Sequence, residues 1–320
     1  MKYALLTYKE SNNIGDYIQT LAAKQFLPKV DYYLDRDYLN KFTSTDDVKL
    51  ICNGWFMHKP KNWPPSPKII PLFTSFHLTN YKKASEILTN KNLINYYKQH
   101  EPIGCRDYST VNLFKTIGIK ATFSGCLTLT LKNKNNINNP RDKYIFVDPF
   151  GSRENYQFYL PGDKKFRTDL WEHIPSLVRN QSIFLTHKIP KNIFFPNHPS
   201  RHEQAEKLLD IYSQAKLVIT SRLHCALPCL ALGTPVIFVN TTNSSTSKRK
   251  ELRYEGLIDL MHTCTLEDLE NNSFIIDWEN PEKYLCHKNR FIELRNGLIE
   301  NSQQFIDRDH CEIDNGQSSV

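Results

Sequence analysis

An arginine and a histidine stand two residues apart in the run Ser221-Arg222-Leu223-His224. The residues before them, Leu217 to Thr220, read as a buried strand. Cys225 to Leu232 reads as a short helix, Gly233 as its stop, and Val236 to Val239 as a second buried strand. A β-α-β unit of this kind presents its first turn at the carboxyl edge of a parallel sheet, where open α/β sheets bind ligands. A permanent cation beside an imidazole that titrates near neutrality suits an anionic substrate and a proton transfer. Cys225 with Cys229, and His198 with His202, have metal-ligand spacing. The first pair sits in wholly apolar company and the second at a helix entrance, so no metal is expected at either.

Further turns carry chemistry of the same kind. Asn12-Asn13-Ile14-Gly15-Asp16 lies between a first strand and a first helix. Its glycine allows a tight turn, and the free N–H groups of the helix point out of its start. A carboxylate is a poor phosphate ligand, so Asp16 is expected to hold a sugar hydroxyl or to order the loop. Asn53-Gly54-Trp55 follows another strand, and Trp63 stands among Pro60, Pro64, Pro65 and Pro67. Tryptophan faces stack on sugar rings; pinning a long loop to the core is the equal alternative. His77 ends the next strand. Gly104-Cys105-Arg106-Asp107 repeats the strand-turn-helix with an arginine whose planar fork can clamp phosphate or carboxylate. The plainer alternative is an Arg106–Asp107 surface feature. Ser124-Gly125-Cys126-Leu127-Thr128 is small and polar enough to line a cleft.

The elements that must position these turns alternate. Strands are expected at residues 2–8, 49–52, 69–73, 103–105, 119–123, 144–147 and 182–186. Helices are expected at 16–27, 81–88, 93–100, 107–117, 170–178, 203–215 (after a Ser200–Glu203 capping box), 266–269 and 281–305. Alternation of this sort implies parallel sheets. An asparagine-rich stretch, residues 134–142, reads as a linker. It separates an N-terminal Rossmann-like domain, 1–133, from a C-terminal one, 143–306, and a polar tail, 307–320, follows. The 320 residues and their 40% hydrophobic content suffice for two such domains, and the net charge of +7 is spread rather than clustered. That distribution favours anionic ligands or an anionic membrane face over a nucleic-acid stripe. The eight cysteines are scattered without a C-x-x-C pair, as expected of reduced thiols in the cytoplasm. The N-terminus turns polar too soon for a signal peptide, and no apolar run approaches a membrane span.

In this order, Asn13-Ile14-Gly15-Asp16, Gly104-Cys105-Arg106-Asp107 with Ser109, Ser124 to Thr128, and Ser221 to His224 running into Ala231-Leu232-Gly233-Thr234-Pro235-Val236 resemble the polysaccharide pyruvyl transferase family. The likeness extends over roughly residues 3–300. It implies a GT-B-like α/β fold, two Rossmann-like domains facing a cleft. It also implies transfer of the enolpyruvyl group of phosphoenolpyruvate onto two hydroxyls of a sugar, forming a cyclic ketal in a bacterial capsule, exopolysaccharide or lipid-linked glycan precursor. Phosphoenolpyruvate is then the donor substrate, with no cofactor and no metal. Arg106, Arg222, Ser221 and His224 are the expected donor-binding residues, with Arg222 and His224 catalytic and His224 the general acid. Asp16, Asn13, Asn53, Trp55 and His77 are the expected acceptor side. The location implied is the cytoplasm, with peripheral contact at the inner membrane face.

Two rival functions are compatible with the same residues. A GT-B glycosyltransferase using a nucleotide sugar would need a ribose-holding carboxylate, for which Glu251 and Glu255 are available. A non-catalytic glycan-binding protein would be expected to have lost the Arg/His turn, which is intact here. Lys248-Arg249-Lys250 and Arg253 read either as a solvated loop or as contacts to lipid headgroups.

Overall fold

A computed structural model describes residues 1–56, 59–78, 90–134, 141–149, 174–189, 198–241, 252–286 and 288–308. The expected helix at 81–88, most of the linker, the start of the 170–178 helix, the 248–250 basic run, Glu251 and nearly all of the tail lie outside these residues.

The chain is α/β and forms two parallel sheets. The first contains β1 (Lys2–Thr7), β2 (Tyr32–Asp35), β3 (Val48–Phe56), β4 (Ile69–Leu78), β5 (Ile103–Cys105) and β6 (Ala121–Phe123), in the order β2-β1-β3-β4-β5-β6. The second contains β7 (Lys143–Val147), β8 (Ser182–Leu185), β9 (Ala215–Thr220), β10 (Val236–Asn240) and β11 (His262–Thr265), in the order β11-β10-β9-β7-β8. Every pairing between these strands is parallel. Both orders reverse direction once, between β1 and β3 in the first sheet and between β7 and β9 in the second. These reversals are the switch points at whose carboxyl ends α/β sheets open a crevice. The two units are Rossmann-like, as expected.

Local chemistry sets the element ends. Helix α1 (Ile14–Lys24) is capped by Asn13, whose side chain accepts from the Gly15 N–H at 3.1 Å. Helix α2 is Lys91–Lys98, and α3 (Tyr108–Thr116) is capped by Asp107, which accepts from Thr110 N. The chain leaves α3 through Gly118 at φ +72. In the second unit, α4 (Ser176–Asn180) precedes β8 and α5 (His198–Ser213) precedes β9. Ser200 therefore lies inside the first turn of α5 rather than at a cap before residue 203. Helix α6 (Leu223–Leu232) begins at Arg222 and stops at Gly233, whose φ of +67 only glycine adopts without strain.

The halves share one apolar core. Residues 14–23 of α1 are all buried, because the helix has the first sheet on one side and α5 and α6 on the other. The same buried cluster runs from Ile18 and Leu21 to Val218, Ala226 and Leu230. A second cluster, Tyr144, Phe146, Leu217, Ile219 and Ile237 among others, covers the opposite face of the second sheet. The last helix, α8 (Asn289–Asp307), follows the short α7 (Leu266–Glu270) in the second unit. It nevertheless packs on β4 and on the turn at Leu127–Thr130, both in the first unit. Lys49, nearly buried in β3, donates through Nζ to the Ile306 carbonyl at 2.9 Å, at the electronegative end of α8.

Candidate functional site

The turn after β9 delivers Ser221, Arg222 and His224 to the second switch point. Thr220 Oγ1 accepts from Arg222 N at 2.9 Å, and His224 breaks helical geometry at φ −82, ψ 17. Opposite stands Asp148, immediately after β7, in the left-handed region at φ +43. Its Oδ2 accepts from Arg222 Nε at 2.6 Å and from His187 N at 3.0 Å, and its carbonyl accepts from Ser221 Oγ at 2.5 Å. Burial works against the Asp148 charge, but the Arg222 guanidinium and the His187 N–H outweigh it and hold the carboxyl below its ordinary range. Asp148 and His187 carry no signal in the sequence beyond lying after strands.

The first unit supplies Arg106 from the end of β5. It is wholly buried, and so is Asp107, so the pair is not a surface feature. Arg106 Nη1 lies 3.5 Å from His224 Nε2. Among the described residues its Nε and Nη2 have no hydrogen-bond partner, although Asp107 Oδ2 lies 3.8 Å from Nε. A buried guanidinium with unmade hydrogen bonds is costly unless an anion meets it. Burial, the charge of Arg106 and then that of Arg253 hold His224 well below the usual imidazole range. It is neutral in the free protein at pH 7.

His77, at the end of β4, joins the same cluster. Its Nδ1 lies 2.5 Å from Asp107 Oδ2, while Asp107 Oδ1 accepts from Thr110 N at 2.9 Å and Thr110 Oγ1 at 2.8 Å. Burial and then Arg106 pull the His77 pKa down to about 4, against the opposing pull of Asp107. The neutral ring donates Nδ1–H to the carboxylate, which leaves the Nε2 lone pair directed away from it. That Nε2 is buried without a partner among the described residues.

The remaining acceptor-side candidates lie around the first switch point. Asp16 accepts from Ser11 Oγ at 2.5 Å and from Gln19 Nε2 at 3.5 Å, so it orders the loop. Asn53, buried in β3, donates through Nδ2 to the Gln19 carbonyl at 2.8 Å. Asn53 Oδ1 and Gln19 Oε1 are both buried without partners among the described residues. Trp55 is half-buried and lies in register with His77 on the neighbouring strand. Trp63 packs on Phe56, Phe76 and Tyr97 in the core of the first unit.

The Asn13 turn is tied to the second unit. Ile14 N donates to the His187 carbonyl at 2.9 Å and Ile189 N to the Asn12 carbonyl at 2.6 Å, an antiparallel bridge between the halves. Gly15 serves close approach here. A Cβ on it would lie 3.1 Å from His224 Cβ and 3.2 Å from His187 Nδ1.

Arg253 is open in the sequence to either a solvated-loop or a lipid-headgroup role. It lies on a short turn, Leu252–Tyr254, that packs against α3, and among the described residues its buried Nε has no partner. Glu255 follows it, and burial and then Asp107 hold its carboxyl above the ordinary range. Among the described residues no group of three or more His, Cys, Asp or Glu side chains could hold a metal, and no helix is long and apolar enough to cross a membrane.

No curated protein matches the chain. Among solved structures, a functionally uncharacterised protein from Klebsiella pneumoniae is 16% identical with a TM-score of 0.45, over 83% of this chain and 92% of that one. The family model for polysaccharide pyruvyl transferase matches residues 13–243, from the Asn13 cap through the Arg222–His224 turn to just beyond β10. With that span covering well over half of its length, the chain belongs to the polysaccharide pyruvyl transferase family.

Proposed function

We propose that the protein transfers the enolpyruvyl group of phosphoenolpyruvate onto two hydroxyls of a sugar, forming a cyclic ketal. The observation that carries this reading is Arg106. It is wholly buried, with two unpartnered nitrogens, and it lies 3.5 Å from the imidazole of the opposing unit. Family membership supports a sugar or polysaccharide acceptor.

Arg106 and Arg222, with Ser221, receive the donor anion. Its negative charge offsets the field of the arginines, so the His224 pKa rises and Nε2 gains a proton. His224 gives that proton to the methylene carbon, which leaves an oxocarbenium-like centre at C2. One sugar hydroxyl adds there as its proton passes to His77 Nε2, steadied by Asp107. Phosphate then leaves, the second hydroxyl closes the ring, and its proton returns to His224. The proton on His77 departs with the phosphate. The two hydroxyls lose two protons: one leaves with phosphate by way of His77, and the other restores on His224 the proton given to the methyl group. Gln19 and Asn53 present the acceptor with buried oxygens, and Trp55 flanks it.

The test is incubation of the purified chain with phosphoenolpyruvate and a panel of hexosides, reading phosphate release and product mass. A pyruvylated hexoside is the expected product. Nucleoside diphosphate release from nucleotide sugars, with no use of phosphoenolpyruvate, would establish the glycosyltransferase reading instead.

A further inference from the structure

Given the donor proposed above, the site's charges do not balance through Arg106 and Arg222 alone. A carboxylate and a phosphate monoester together carry about 2.5 to 3 negative charges at pH 7. Arg222 is already paired with Asp148 at 2.6 Å, and Asp107 lies 3.8 Å from Arg106. Each arginine expected to hold the donor thus brings its own carboxylate, and the two pairs together are close to neutral.

Arg253 is the additional cation. Its turn packs against α3, the helix that begins two residues after Arg106. Gly256, three residues on, is so close to the first unit that a Cβ there would lie 2.7 Å from the Phe123 ring and 2.8 Å from Tyr108. Tyr108 is two residues from Arg106, and the Tyr254 ring packs edge-on against Phe238 of β10 at 5.3 Å. These contacts hold the Leu252–Tyr254 turn across the seam between the two units. Among the described residues Arg253 makes no ion pair, and its buried Nε lacks a partner. Its charge reaches the cluster, since it lowers the pKa of Arg106, His77 and His224 alike. Residue 253 also lies outside the matched family segment, 13–243.

We infer that Arg253 binds the phosphoryl group of the donor, as the uncompensated guanidinium of a three-arginine site. The inference rests on the donor proposed above. A phosphoryl dianion demands more positive charge than a carboxylate, and of the three arginines Arg253 is the one with no carboxylate partner among the described residues. The same residue then neutralises phosphate as it leaves.

Isothermal titration of the full chain tests this, with phosphoenolpyruvate, inorganic phosphate and pyruvate as separate probes. Wild type is compared with Arg253→Met, which keeps the apolar stem, and Arg253→Lys, which keeps the charge. Thermal melts confirm that the variants fold. Arg253→Met is expected to weaken phosphoenolpyruvate and phosphate binding about 10- to 100-fold and to leave pyruvate unchanged, with Arg253→Lys in between. Unaltered phosphoenolpyruvate affinity in a folded Arg253→Met or Arg253→Lys variant overturns the inference, as does a loss confined to pyruvate. If wild type itself binds neither phosphoenolpyruvate nor phosphate, the donor assignment fails first, and the role of Arg253 falls with it.

Discussion

Arg222 donates through Nε to Asp148 Oδ2 at 2.6 Å, joining the turns that follow β9 and β7 across the second switch point. The carboxylate fixes one edge of the guanidinium and leaves Nη2 without a partner among the described residues. A lysine at 222 would keep the ion pair as a point charge but could not also present a second, oriented donor. Arg222→Lys is therefore expected to raise the KM for phosphoenolpyruvate about tenfold while the acceptor KM holds. Steady-state kinetics with each substrate varied in turn checks this, and equal effects on both substrates would count against a donor role.

Removing the partner is harsher. Asp148→Ala strands the Arg222 charge and the His187 N–H, and it puts an ordinary side chain at φ +43. A cost of about 3 kcal/mol in unfolding free energy is expected. Urea melts of the variant measure it, and a loss below a few tenths would show that the pair is not structural.

His224→Ala is expected to leave the fold intact and to reduce turnover at least about 100-fold, the usual contribution of a positioned acid. Because burial and then the Arg106 charge keep the free imidazole neutral, donor binding must bring a proton with it. Titrating phosphoenolpyruvate into wild type at pH 7 in buffers of different ionisation enthalpy should show net proton uptake. The His224→Ala variant should show less. Identical uptake in both proteins would remove His224 from the acid role.

His77 makes a prediction about stability. Its pKa is about 4 in the folded protein against 6.5 when unfolded. Between those values the unfolded chain binds the proton and the folded chain does not, so stability falls as the pH drops from about 6.5 towards 4. The full shift corresponds to something on the order of 3 kcal/mol. Replacing His77 with Gln should flatten this window, as read from melts at pH 7 and pH 5. An unchanged pH slope would place the loss elsewhere.

Gly15→Ala would bring a methyl group within 3.1 Å of His224 Cβ. The neighbour must yield by a few tenths of an ångström, which costs about 1 kcal/mol of stability. A larger effect is expected on kcat, because the residue that yields is the proposed acid. Melting curves beside turnover numbers separate the two, and a variant that loses stability but keeps full kcat would refute the coupling.

Much of this architecture is legible in the sequence because parallel strands buried on both faces appear as unbroken apolar runs. β9 and β10, with Gly233 between them, are the clearest case, and Asp107 as the cap of α3 follows from its type and place. β2 and β11 escape notice. Tyr32–Asp35 and His262–Thr265 are short sheet-edge strands of mixed polarity, so neither periodicity nor hydrophobicity marks them. The site divides in the same way. Arg222, His224 and Arg106 stand out because each follows a strand. Asp148 is a single acid at a strand end, and His77 and Asp107 meet across 30 residues of sequence. Arg253 gains meaning only when Gly256 is seen against Phe123 and Tyr108. The glycine of Asn13-Ile14-Gly15-Asp16 suggested a tight turn, whereas its use is to let a helix start touch the histidine of the other unit.

The bridge between residues 12–14 and 187–189 has a dynamic consequence. Two-domain enzymes commonly breathe about a hinge to admit substrate and shut around it. Here such breathing would have to unzip the Ile14–His187 and Ile189–Asn12 backbone bonds and draw Gly15 off His224. The fastening of the halves and the seat of the imidazole are the same few atoms, so a molecule swung wide is also one whose acid has lost its backing.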